Sequence, residues 1–141
     1  MQAASYEQYI EFDIEQERYA IPIRDIHEII KIQDITPIPN VTPYVKGVIN
    51  LRGKIVPVVS LRHMLRFQEK DYSRTTRIIV VHHLEDTVGI IVDRVNQVTK
   101  FSDVQQPPER VGGIDVNYLV GIGIAQNGLV GILKLDEVLL H

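Results

Sequence analysis

The sequence predicts an all-β protein built as two small barrels packed together. Apolar runs are short, rich in Ile and Val, and punctuated by turn residues at close intervals. Two sets of about five such runs flank one polar stretch, QEKDYSRTT at 68–76, which suits two small barrels better than one large sandwich. Several runs are apolar at almost every position, as expected of a strand shared between two cores, which has no solvent face. With 141 residues, 45% of them hydrophobic, the chain suffices for one domain needing no metal or disulfide to stabilise it. Approximate halves at 6–67 and 77–140 are expected as subdomains, with strand exchange between them allowed.

The elements follow in order. YIEFDI (9–14) alternates, with Ile10, Phe12 and Ile14 on one face and Glu11 and Asp13 on the other, as in a half-exposed strand. RYAIPI (18–23) returns after the turn EQE, and Pro22 marks a sheet edge because proline cannot donate to a ladder. RDIHEII (24–30) sets Ile26, Ile29 and Ile30 at helical spacing, so one or two helical turns are expected before an extended piece ending at Pro37. Thr42-Pro43 matches an N-cap followed by proline at the first helical position, opening a turn through YVK that closes at Gly47. Strands at 48–52 and 55–59 meet across a turn at Gly53-Lys54, and LRHMLRF (61–67) contains a short helix. The second half offers RIIVVHH (77–83), a turn at Glu85-Asp86, TVGIIVD (87–93), RVNQVTKF (94–101) and the loop SDVQQPPERVGG (102–113). LVGIGIA (119–125) and LVGILKL (129–135) flank Gln126-Asn127-Gly128, a strong hairpin signal, and Asp136 caps a terminal helical turn.

Composition and motifs exclude several function classes. No cysteine is present, which removes disulfides, thiolate metal sites and a cysteine nucleophile. The N-terminus lacks a basic start and an apolar segment, and no run approaches about 18 apolar residues, so a cytoplasmic protein without membrane insertion is expected. Asn40-Val41-Thr42 is then a turn rather than a glycosylation acceptor. Net charge is −3, spread along the chain, and aromatics are 6%, which argues against a nucleic-acid partner. His27-Glu28 opens a metalloprotease-like pattern, but Lys31 stands where the second histidine ligand belongs. His82 and His83 are adjacent on a strand and point to opposite faces. GIGIAQNG has the wrong glycine spacing for a dinucleotide loop, and no Gly-x-Ser-x-Gly occurs. Neither a catalytic residue, a metal ligand nor a cofactor is assigned.

KGVINLRGKIVPVV (46–59) remains, with one arginine inside an otherwise apolar run. Alternation turns Ile49 and Leu51 one way and Val48, Asn50 and Arg52 the other, leaving Arg52 at the Gly53 turn. Two readings stand: a solvated turn arginine, or a guanidinium displayed at a rigid rim beside apolar surface, as interface anchors are. Likewise, Ile26 and Glu28 are either core and surface, or an apolar docking spot with a charged neighbour.

YAIPIRDIHEII, PIPNVTPYVKGVINLRGKIVPVVSLRHML, RIIVVHHLEDTVGIIVDRVNQV and YLVGIGIAQNGLVGILKLDEVL resemble, in order, the characteristic blocks of the CheW chemotaxis coupling protein family. The resemblance runs from about Tyr9 to Leu140, and KGVINLRGKIVPVV is its most specific part. One departure is Ser60, where the family often has aspartate. The resemblance implies two intertwined five-stranded SH3-like barrels in a single CheW-like domain, with no catalytic activity. It implies an adaptor joining the cytoplasmic hairpin of chemoreceptors to the regulatory domain of the histidine kinase CheA, in arrays at the inner face of the membrane; the alternative is a scaffold for another receptor–kinase pathway. It places Arg52 as a principal receptor contact, with Ile26, Glu28, Val95 and Val98, and with Gly47, Val48 and Asn50 beside them. It assigns no kinase-binding residue.

Overall fold

Strand β6 (Arg77–His83) is buried on both faces: Ile79 and Val81 enter one apolar cluster, and Ile78 and Val80 enter another. Only a strand between two cores requires such a sequence. In the computed structural model, which describes residues 7–39, 43–107 and 118–139, the strands form two sheets. Besides β6, the strands are β1 (Tyr9–Ile14), β2 (Glu17–Pro22), β3 (Ile26–Lys31), β4 (Val45–Leu51) and β5 (Lys54–Ser60). The chain continues through β7 (Asp86–Val92), β8 (Arg94–Thr99), β9 (Asp103–Gln105), β10 (Leu119–Ala125) and β11 (Gly128–Leu133). Short helices α1 (Leu61–Met64) and α2 (Leu135–Leu139) follow β5 and β11. One sheet has the order β8-β1-β2-β11-β10-β9 and the other β3-β6-β7-β5-β4. The architecture is all-β, with two SH3-like barrels.

Neither linear half, 6–67 or 77–140, is one sheet. The N-terminal hairpin β1-β2 joins the C-terminal strands through a parallel β2–β11 pair, and β3 to β7 form the other sheet between them. The largest apolar cluster lies between the sheets. It takes Phe12, Ile14, Tyr19 and Ile21 from the first sheet, and Val59, Ile79, Val81, Val88, Ile90 and Val92 from the second. Smaller clusters fill each sheet's other face: Tyr9, Ala20, Phe101, Val130 and Ile132 in the first, Ile49, Val56, Val58, Ile78, Val80 and Ile91 in the second.

Arg62, on α1, fastens the same seam. Its side chain is 8% exposed and forks onto Asp93 (Nε–Oδ1 2.9 Å, Nη2–Oδ2 2.6 Å), with Nη1 donating to Glu15 Oε2 and the Gln68 carbonyl. These contacts hold the β1-β2 turn, α1 and the β7–β8 junction together. Ser60 caps α1 by accepting from the His63 N–H at 3.2 Å, so the Arg62 pairs form with serine where the family often has aspartate.

Several local expectations are corrected. Residues 26–31 are a strand, and only Ile23–Asp25 make a helical turn, of the 3-10 type. A β-bulge between Ile26 and Glu28 explains the misleading spacing. It inserts one residue, so that Ile26 and Ile29, three apart, pair with Val81 and Ile79 on one face. Residues 45–47 are likewise strand, and Thr42 lies outside the described residues, as do 40–41 and the end of the 102–113 loop. Turns fall at Arg52-Gly53 and Leu84-Glu85, one residue earlier than expected. Pro22 ends an interior strand, beyond the Tyr19 and Ala20 positions that pair with β11. Glu11 is buried, because β1 is covered on both faces; its Oε2 meets Asn96 Nδ2 at 3.3 Å and Arg18 Nη1 at 3.7 Å. Asp136 lies within α2 rather than capping it.

The shared core makes the two sheets one cooperative unit. Ile79→Ala is expected to lose about 2–5 kcal/mol in a single denaturation transition. Two separate transitions would show that the sheets fold independently.

Candidate partner-binding surface

Arg52 sits at the tip of the β4–β5 hairpin with φ +53°, followed by Gly53 at φ +88°. Two successive residues with positive φ make the kind of two-residue turn that suits the twist of flanking strands. Glycine adopts that backbone freely, whereas arginine does so at a cost. Asn50 helps hold the turn, its Oδ1 accepting from the Gly53 N–H at 2.8 Å. The expected alternation holds: Ile49 is buried and Leu51 packs against the same cluster, while Asn50 and Arg52 are exposed.

Closure of the second sheet brings β3 to this hairpin. Beyond β3 the chain runs to Thr36, whose N–H and carbonyl each bond to Val48 at 2.9 Å. Gly47 permits this approach. It has φ +146°, and a Cβ there would stand 2.1 Å from the Thr36 carbonyl oxygen. Gly47 is buried and lets β4 meet Thr36, while Val48 supplies the ladder bonds. Gln33 Nε2 adds a bond to the Asn50 carbonyl at 3.3 Å.

Across this seam Arg52 meets Glu28 with both guanidinium prongs: Nη1 lies 3.3 Å from Oε1, and Nη2 bonds Oε2. Arg52 is 66% exposed and Glu28 24%. The hydrogen bonds from Arg52 hold the Glu28 carboxyl below its ordinary range, opposed by partial desolvation, and the Arg52 guanidinium is correspondingly raised. The bulge in β3 produces this arrangement: Glu28 pairs with Val80 and Ile26 with Val81, so the two turn to opposite faces.

Ile26 and Val95 pack against the inter-sheet core from β3 and β8, the end strands of the two sheets. Val98, 52% exposed, pairs with Ile10 on the face of β1 that carries Phe12 and Ile14. Ile29, 37% exposed, stands on the face of β3 that carries Ile26. Apolar side chains therefore continue the inter-sheet faces outward along both end strands. Arg52, Glu28, Asn50 and Val48 are brought together at one seam; among the described residues no hydrogen bond or ion pair joins Val95 or Val98 to it. Ile10 and Ile29 belong to this apolar surface, although sequence reasoning did not place them there. For Ile29 no local signal could do so, because the bulge that turns it to the face of Ile26 arises from pairing with β6.

The pair has a testable signature. Glu28 binds fewer protons in the folded chain than unfolded, so its contribution is present above the ordinary carboxylate pKa and fades as pH falls through the depressed folded value. An NMR titration of Glu28 should therefore give a midpoint below the usual range in wild type and a rise towards it in Arg52→Ala. Equal midpoints would show that the pair does not persist in solution.

The CheW-like domain family model matches residues 8–141. The chain is 37% identical over 134 residues to chemotaxis protein CheW of Helicobacter pylori, covering 94% of this chain and 81% of that one. Identity to chemotaxis protein CheW of Bacillus subtilis is 36% over 135 residues, covering 94% and 86%. The crystal structure of the scaffolding protein TtCheW from Thermoanaerobacter tengcongensis superimposes with a TM-score of 0.84 at 34% identity, covering 92% of this chain and 84% of that one. With its two barrels, their shared core and a family match across nearly its whole length, the chain belongs to the CheW-like domain family.

Proposed function

We propose that this protein is a non-catalytic adaptor of chemotaxis signalling that couples the cytoplasmic hairpin of chemoreceptors to the histidine kinase CheA. The observation that carries the reading is Arg52, held on a left-handed turn and oriented by a two-pronged pair with Glu28 at the seam of a closed barrel. The names of similar proteins, chemotaxis protein CheW and a scaffolding protein, support it.

The receptor hairpin is an amphipathic helical partner that lays apolar residues against Ile26, Val95 and Val98, helix in groove. In this reading Val48 and Asn50 belong to the contact through their place beside Arg52, and Gly47 supports them by letting β4 meet Thr36. Arg52 donates to a carboxylate or carbonyl of the same partner. The rigid core gives the bound receptor a set geometry relative to the kinase. Function is then coupling, and several modest contacts made at once multiply into a stable array. Among the described residues no helix is long and apolar enough to cross a membrane. In this reading the partners place the protein at the inner membrane face.

Co-sedimentation with a chemoreceptor cytoplasmic hairpin and CheA from the same genome tests this reading. Wild type should bridge the two, and Arg52→Ala should retain the kinase, lose the receptor and melt within a few degrees of wild type. Unchanged receptor binding by Arg52→Ala, or a large fall in its melting temperature, would refute the assigned role.

A further inference from the structure

Beside Arg52 the open end of the second barrel forms a shallow depression lined by His27, Lys54, His82 and Thr87, over a floor of Leu51 and Val56. Among the described residues, Lys54 and His82 have no carboxylate partner. Lys54 Nζ lies 3.4 Å from Thr87 Oγ1, and His82 Nδ1 lies 2.9 Å from the same oxygen. Lysine can only donate, so Thr87 Oγ1 accepts from Lys54, and His82 Nδ1 shares the same hydroxyl. His82 Nε2 has no described partner. Glu28 is the acidic group at this end, 3.6 Å from His27 Nε2, and Arg52 holds it.

We infer that this depression is a second subsite for the partner that contacts Arg52, and that it takes an acidic side chain. The inference rests on the proposed function and adds the chemistry of recognition. Lys54 supplies donors and positive charge, and the His82 and His27 rings add polar nitrogens, around a floor of Leu51 and Val56. The aliphatic stem of a glutamate covers that floor while its carboxylate meets the donors. A free phosphate has no apolar part to do so, and a chain of net charge −3 is poorly suited to an anionic lipid surface. His27 faces Glu28 and Arg52, and His82 faces Thr87 and Lys54.

The experiment is calorimetric titration of the full chain with the soluble receptor hairpin. Lys54→Gln should bind about fivefold more weakly than wild type, with Lys54→Arg restoring affinity, and the double variant His27→Gln/His82→Gln should bind about threefold more weakly. Wild-type behaviour in all these variants, with weak binding by Arg52→Ala, overturns the subsite and leaves the adaptor reading intact. Failure of wild type to bind the hairpin overturns both. A loss in Lys54→Gln that Lys54→Arg does not restore marks a structural effect and also overturns the subsite. So does wild-type binding to vesicles of anionic lipid that Lys54→Gln abolishes, since the patch would then belong to a membrane surface.

Discussion

Burial of one apolar core between two sheets is the constraint on which the rest of the structure depends. Each sheet has an interior cluster of its own, but the larger cluster belongs to both. Strands β6 and β7 must therefore be apolar on both faces, and Gly89 is forced on β7: a Cβ there would stand 2.8 Å from the Ile78 side chain and 3.4 Å from Val58. The chain order follows the same demand. The first sheet is completed only when β8 to β11 return to the N-terminal hairpin, so the inserted sheet is gripped along its length and the two barrels cannot separate without losing the core.

That grip is what gives a surface site a fixed geometry. Val95 and Ile26 approach the common core from different sheets, and Arg62 ties the β7–β8 junction to α1 and the first hairpin. Arg62 and Arg52 illustrate two uses of one side chain. The buried guanidinium directs four of its five donors to two carboxylates and a carbonyl. The exposed one meets a single carboxylate at an open seam, where its stabilising effect is screened by water and its donors remain within reach of a partner.

Most of the fold was legible because strands betray themselves by composition. The limits of β10 matched at both ends, and β6 occupied the expected residues, since both are β-branched runs bounded by turn residues. What was not legible was non-local. Glu11 alternates like a surface residue, but the return of β8 and β11 covers its face. The bulge at Ile26 and Glu28 arises from pairing with β6 and imitates a helical period in sequence. Gly47 looked like the end of a helical turn because its actual constraint, the Thr36 carbonyl against its α-carbon, lies eleven residues away in the chain. The Arg52–Glu28 contact is of the same kind: the resemblance named both residues, but only closure of the barrel shows that they meet.

Arg52 also bears on whether the guanidinium is merely solvated at a turn. A solvated arginine has no need of the first position of this hairpin, where the backbone is left-handed and glycine, asparagine or aspartate would sit with less strain. Nor does it need an Asn50 side chain to stabilise the turn, or a glutamate from the far edge of the sheet to set its direction. Each of these features restricts where the guanidinium can be. Restricting a long, flexible side chain costs entropy in the free protein and reduces the entropy still to be lost when a partner arrives. An exposed charge held in that way fits the proposed contact with a partner.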